Sequence, residues 1–206
     1  MDFDWDEILK YRQSGLREGM KEKSVDALFL SSHENIRYAT NYEGARPGTR
    51  LNALFLRNPE VVVMLVPSAD AMHIRSKGFK DVRSVPMDPA GVAEAVRHAL
   101  TDYGLKGCRI GLEADQMYGM YDELKRNLAV DIALASDIIY APQTIKHDEE
   151  VKVIRQAVAV TETALRAALE ATRPGVRERE VAAAFMKTVL SYPGTHDRGS
   201  GCCMCV

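Results

Sequence analysis

No apolar run in this 206-residue chain is long enough to cross a bilayer. The longest aliphatic stretch, Val61 to Val66, stops at Pro67, far short of the ~20 residues a spanning helix needs. No export signal opens the chain either. Met1-Asp2-Phe3-Asp4-Trp5-Asp6-Glu7 is acidic where a secretory leader is basic and then apolar, so a cytoplasmic location is expected. Cysteine is scarce and badly spread for a disulfide framework: Cys108 stands alone, and Cys202, Cys203 and Cys205 crowd the last five residues. Charge of one sign is also missing. With 27 Lys+Arg against 29 Asp+Glu the formal net charge is −2, which gives no general pull towards nucleic acid or an anionic membrane. What is present, 46% hydrophobic and 27% charged residues, is the composition of a globular protein with a sizeable core.

Periodicity predicts an amphipathic helix over 5–23, with Ile8, Tyr11, Leu16 and Met20 at helical spacing and Gly15 as a weak point. A buried strand follows at Val25 to Leu30, then a short helix from Glu34 to Ala39 with Ser32 as N-cap. Leu51 to Leu56 and Val61 to Val66 read as a hairpin across Arg57-Asn58-Pro59-Glu60. Beyond it come a helix over 68–77 closed by Gly78, a strand over 81–85, a helix over 89–102, a strand over 109–112, a helix over 117–127 and a strand over 130–134. Short apolar strands alternating with helices predict an α/β sandwich, and the hairpin makes its sheet mixed. The glycines at 104, 107 and 111 do not follow the strand, turn and helix order of a dinucleotide fingerprint.

The character changes at Ala141-Pro142. No Gly or Pro interrupts 147–172, where Val151, Ile154, Val158, Leu165 and Leu169 form one stripe of a long helix. Arg173-Pro174-Gly175 stops it, and a second helix runs over 178–190. A domain boundary is expected at 141–146. Two helices with one-sided stripes need a covering surface, so 142–190 reads as the start of a domain whose remainder is absent, and 191–206 as a disordered tail.

Three segments, in order, carry a resemblance. Asn35-Ile36-Arg37-Tyr38-Ala39-Thr40-Asn41-Tyr42 follows a buried strand. Ile145-Lys146-His147-Asp148-Glu149-Glu150-Val151 leads into Ile154-Arg155-Gln156-Ala157. Arg173-Pro174-Gly175-Val176-Arg177-Glu178-Arg179-Glu180-Val181-Ala182-Ala183 joins the two C-terminal helices. Together they resemble the creatinase/prolidase/aminopeptidase P family of "pita-bread" metallohydrolases, with Asn41 where the family usually has Gly. The resemblance implies a creatinase-type N-terminal domain over 1–141 followed by the first two helices of the catalytic domain. It also implies a homodimer acting on small amides, most often peptides with proline after the first residue. Creatine hydrolysis and a lyase branch acting on dimethylsulfoniopropionate share the same fold, and fold alone does not choose among them. A non-catalytic binding or assembly module, using a sheet edge and the stripe of the 147–172 helix, is the reading from a different class.

Two departures qualify the resemblance. Arg177 stands where the family puts a Thr or Ser cap, so Glu180 has no hydroxyl to answer it and the helix start is weaker by about 1 kcal/mol. More consequential, the family's two divalent metals (Mn, Co or Zn) are held by two Asp, one His and two Glu. Here only His196 and Asp197 follow the second helix, and no Glu does. The chain is therefore expected to hold no dinuclear centre and no catalytic residue, and to be inactive alone. The resemblance assigns Tyr42, Arg46 and Arg50 to substrate: two guanidinium forks for a carboxylate and an apolar wall with a hydroxyl, on a loop that reaches the neighbouring subunit's pocket. The histidines show no i, i+4 pair and read as surface or helix-end residues. Cys202, Cys205 and His196 have zinc-like spacing but too few ligands and no surrounding structure, so no metal is expected there.

Overall fold

The computed structural model describes residues 3–42, 50–114 and 118–193. The chain divides into two compact units, one over Trp5–Ile145 and one built around the two C-terminal helices.

The larger unit opens with α1 (Trp5–Glu22), which buries Ile8, Leu16 and Met20. Then come β1 (Ala27–Leu30), α2 (His33–Thr40), the hairpin β2 (Asn52–Leu56) and β3 (Val62–Val66), α3 (Ser68–Ser76) and β4 (Asp81–Ser84). After these follow α4 (Pro89–Asp102), β5 (Arg109–Leu112), α5 (Tyr118–Asn127), β6 (Asp131–Leu134) and α6 (Ser136–Thr144). The strands form a six-stranded sheet in the order β4-β3-β2-β1-β5-β6. β2 is antiparallel to β1 and β3, and the other neighbours are parallel, so the mixed α/β sheet expected from the sequence is the one formed.

Strand alternation divides the core into two layers. Leu28, Leu30, Phe55, Met64 and Val66 face one way, with Leu16, Ile36, Ile74 and Ile138 packed on them. Ala27, Phe29, Leu54, Leu56 and Leu65 face the other way, beneath Val92, Val96, Met120 and Leu124. Burial on both faces is why the central strands read as continuous apolar runs rather than alternating ones. Gly111 belongs to this packing: a Cβ there would stand 2.5 Å from Ala135 Cβ and 2.8 Å from Leu28 Cδ2.

The sequence did not anticipate α6, because Pro142 reads as a terminator. The helix runs through it. Its partner is Gly15, where an added Cβ would come within 2.8 Å of Pro142 Cβ. The expected weak point in α1 is thus a place where α6 approaches too closely for a side chain.

In the second unit α7 (Asp148–Ala171) and α8 (Glu178–Leu190) pack through Val160, Ala164 and Val189, with Phe185 and Tyr192 against them. The stripe expected to face a partner lies elsewhere on α7: Ile154, Val158, Leu165 and Leu169 are exposed. His147 caps α7, its Nδ1 accepting from Glu149 N–H at 3.3 Å while Glu150 Oε2 accepts from His147 N–H at 2.9 Å. At α8 only half of that arrangement survives. Glu180 Oε2 accepts from Arg177 N–H at 2.9 Å, and a guanidinium has no acceptor to return the bond.

Candidate functional site

A dense polar constellation lies where β1 and β5 leave the sheet. The two strands are parallel, with Phe29 opposite Leu112, so Ser31 and Glu113 emerge side by side at their carboxyl ends. Glu113 is 2% exposed. Its Oε2 accepts from Ser31 N–H at 2.7 Å, Ser31 Oγ at 2.5 Å and Ser32 N–H at 3.1 Å. Its Oε1 accepts from Ser32 Oγ at 2.9 Å and Asn35 Nδ2 at 2.7 Å. A buried carboxylate is tolerable only when its lone pairs are answered in this way. Ser32 also caps α2 as the sequence predicts, accepting from Asn35 N–H at 3.2 Å. Asn35 Oδ1 in turn accepts from Gln143 Nε2 of α6 at 3.0 Å.

The far end of α2 is held as firmly. Asn41 takes the left-handed conformation, φ 54° and ψ 16°, and its N–H closes the helix on Arg37 O. That geometry explains why glycine suits the position and why asparagine is an acceptable substitute. Its side chain adds what glycine lacks: Oδ1 accepts from Arg12 Nη1 at 3.1 Å, and Nδ2 donates to Trp5 O at 2.9 Å. Arg12 also lies over the Tyr38 ring, 5.0 Å from its centroid, and Gln13 Nε2 donates to Ala39 O at 2.8 Å. Thr40 Oγ1 donates to Ile36 O and accepts from Tyr42 N–H.

Of the three residues assigned to substrate, Tyr42 is 8% exposed. Its ring meets Phe79 edge-on at 5.8 Å, and burial, with a smaller contribution from Asp70, raises its phenol pKa above the ordinary value. Arg50 is exposed, just ahead of β2. Arg46 lies outside the described residues, as do His196, Asp197 and the three C-terminal cysteines. Tyr42 and Arg50 thus flank 43–49 from the end of α2 and the approach to β2.

Residues 12–142 match the family model of the creatinase/prolidase N-terminal domain. The chain belongs to that family. It is 26% identical over 178 residues to an Xaa-Pro dipeptidase of Pyrococcus horikoshii, covering 86% of this chain and 47% of that one. To the creatinase of a Bacillus species it is 26% identical over 181 residues, 85% of this chain and 43% of the other. An Xaa-Pro dipeptidase structure from Bacillus anthracis superposes with a TM-score of 0.69 at 19% identity, over 89% of this chain and 49% of that one. The chain thus spans about half the length of the curated relatives it matches. Membership also makes sense of the first motif: Asn35 joins Glu113 to α6, Ile36 is core, Tyr38 lies under Arg12, and Asn41 ends the helix.

Prolidase-like chemistry would call for a metal pair, and the described residues do not fit one. Among the described residues no three His, Cys, Asp or Glu side chains stand together so as to hold an ion. Glu113 is no exception, since both its oxygens are engaged by protein donors. Cys108 is a buried thiol whose pKa is pushed up to about 11 by burial and by Asp26. No described helix is long and apolar enough to cross a membrane.

Glu113 and Gln143 escaped the sequence reading. They meet their partners across 78 to 108 residues, and a lone Glu at the end of a short apolar strand carries no local signal of what it will meet.

Proposed function

We propose that this polypeptide is the N-terminal half of a creatinase/prolidase-type hydrolase, acting as a cytoplasmic homodimer on small amides, most often Xaa-Pro peptides. Its own part is to dimerise and to shape the substrate pocket, through Tyr42, Arg46 and Arg50 on the loop after α2. The scissile bond is attacked on metal-bearing residues that these 206 do not include. When bound, the pair of divalent ions would supply an activated water and a polarised carbonyl. This chain contributes position: α2 is fastened at both ends, so the segment leaving Tyr42 starts from a fixed point, and the exposed guanidinium of Arg50 is free to meet a carboxylate. The observation that carries the reading is the family match over 12–142 in a chain that covers 47% of the Pyrococcus horikoshii Xaa-Pro dipeptidase.

Incubation of the purified chain with manganese or cobalt and an Xaa-Pro dipeptide tests it. No proline should be released above a metal-only control, and turnover that persists through size-exclusion chromatography refutes the division of labour. The exposed stripe on α7 favours association as a second role, which light scattering would reveal as an assembly larger than a dimer.

A further inference from the structure

We infer that Glu113 is a positioning residue: its carboxylate is a built-in anion on which the first turn of α2 is seated. A helix N-terminus presents unpaired N–H groups and a partial positive charge, and a bound anion ordinarily satisfies both. Here the chain supplies the anion itself, from the end of β5. The donors on its two oxygens are backbone N–H groups, hydroxyls and an amide, so the negative charge is met by dipoles. Asn35 then ties the seated turn to Gln143 of α6. Asn41 ties the other end to Arg12 and to the carbonyl of Trp5, the chain's single tryptophan. Displacing the N-terminus of α2 therefore changes the surroundings of Trp5 at its C-terminus, which gives the seat a spectroscopic reporter remote from Glu113.

Charge and shape make opposite forecasts for two substitutions. Glu113→Gln keeps the volume, but its NH2 must face a donor in either orientation. On the Oε2 side these are two backbone N–H groups, which cannot turn away. On the Oε1 side they are Ser32 Oγ and Asn35 Nδ2, and flipping Asn35 would break its bond with Gln143. Glu113→Asp keeps the anion and shortens its reach by one methylene. If the anion matters, stability falls in the order wild type, Asp, Gln, with Gln about 5–10 °C below wild type in Tm. If only packing matters, Gln ranks above Asp.

Glu113→Ala adds a second test, chemical rescue. Formate at about 0.1 M should raise the Tm of E113A by about 3–5 °C and restore its Trp5 emission, with wild type unmoved and sodium chloride of equal ionic strength inert. A Gln variant at least as stable as Asp overturns the inference, and so does an E113A protein that responds to formate no more than to chloride. Should E113A fail to fold, the Asp and Gln ranking decides alone. That α2 thereby fixes where Tyr42 stands for substrate rests on the proposed function. The ranking and the rescue do not, so the two failures are told apart.

Discussion

Asn41 offers the sharpest test of how the α2 end of the site is built, because its backbone and side chain pull in different directions. At φ 54° an L-residue is strained by about 1–2 kcal/mol relative to glycine, less for Asn, whose side chain can bond locally. Asn41→Gly relieves that strain, so a view in which only the turn matters predicts a more stable protein. The side chain argues otherwise. One bond, from Arg12, is charge-assisted, and the other joins an amide to Trp5 O. Together they contribute about 2–4 kcal/mol at this partly buried position. Subtracting about 1 kcal/mol for relieved strain, and adding about 0.5 kcal/mol for glycine's freer unfolded chain, leaves Asn41→Gly less stable by about 1.5–3.5 kcal/mol. Asn41→Ala loses the same bonds and keeps the full strain, and should fall below Gly by a further ~1 kcal/mol or more. Urea titrations followed by Trp5 emission report the unit concerned directly, and the slope m should be unchanged. A Gly variant as stable as wild type would refute the account of why asparagine stands there.

Two further outcomes follow from packing and titration. Gly15→Ala should destabilise, although alanine is the better helix former by about 1 kcal/mol, because the new methyl meets Pro142 at 2.8 Å and overpacking costs about 1–3 kcal/mol; a rise in Tm would show that α6 yields freely. Cys108, with an ordinary pKa of 9.0 raised to about 11, contributes stability that is fully present below about pH 9 and is lost as pH climbs towards 11, because only the unfolded thiol ionises over that window. Thermal scans from pH 8 to 11 should therefore fall less steeply for Cys108→Ala than for wild type. Tyr42 and Tyr103, also raised mainly by burial, continue the alkaline loss in both proteins. Parallel curves would contradict the assignment to Cys108.

Local signals were legible and long-range ones were not. The helices could mostly be read within a residue or two from their apolar period and the central strands from their short continuous apolar runs, and Ser32 announced itself as a cap. Gly15 could be seen as a weakness in α1, but its purpose depends on Pro142, which sequence alone marks as a stop and which the fold carries inside α6. The α7 stripe could be seen as apolar and in need of a covering surface beyond the two helices, and Ile154, Val158, Leu165 and Leu169 are exposed; the pairing with α8 through Val160, Ala164 and Val189 could not be seen. Asn41 could be noticed as a departure from glycine, while the reason for it, two bonds to α1, could not. The Glu113 cluster is the extreme case, since its parts meet only once parallel pairing brings β1 and β5 together. Of the substrate residues, sequence resemblance supplied the assignment, and the structure adds a buried Tyr42 and an exposed Arg50.

On the function proposed, this chain's own side chains do not hold a metal pair for hydrolysis. Titrating the purified protein with Mn2+ and recording the electron paramagnetic resonance of the ion tests it most directly, since manganese prefers carboxylate oxygen over thiolate and so ignores the cysteines at the C-terminus. The account predicts the undiminished six-line spectrum of free aqueous manganese at equimolar and twofold additions; loss of that signal with two ions bound per chain would contradict it.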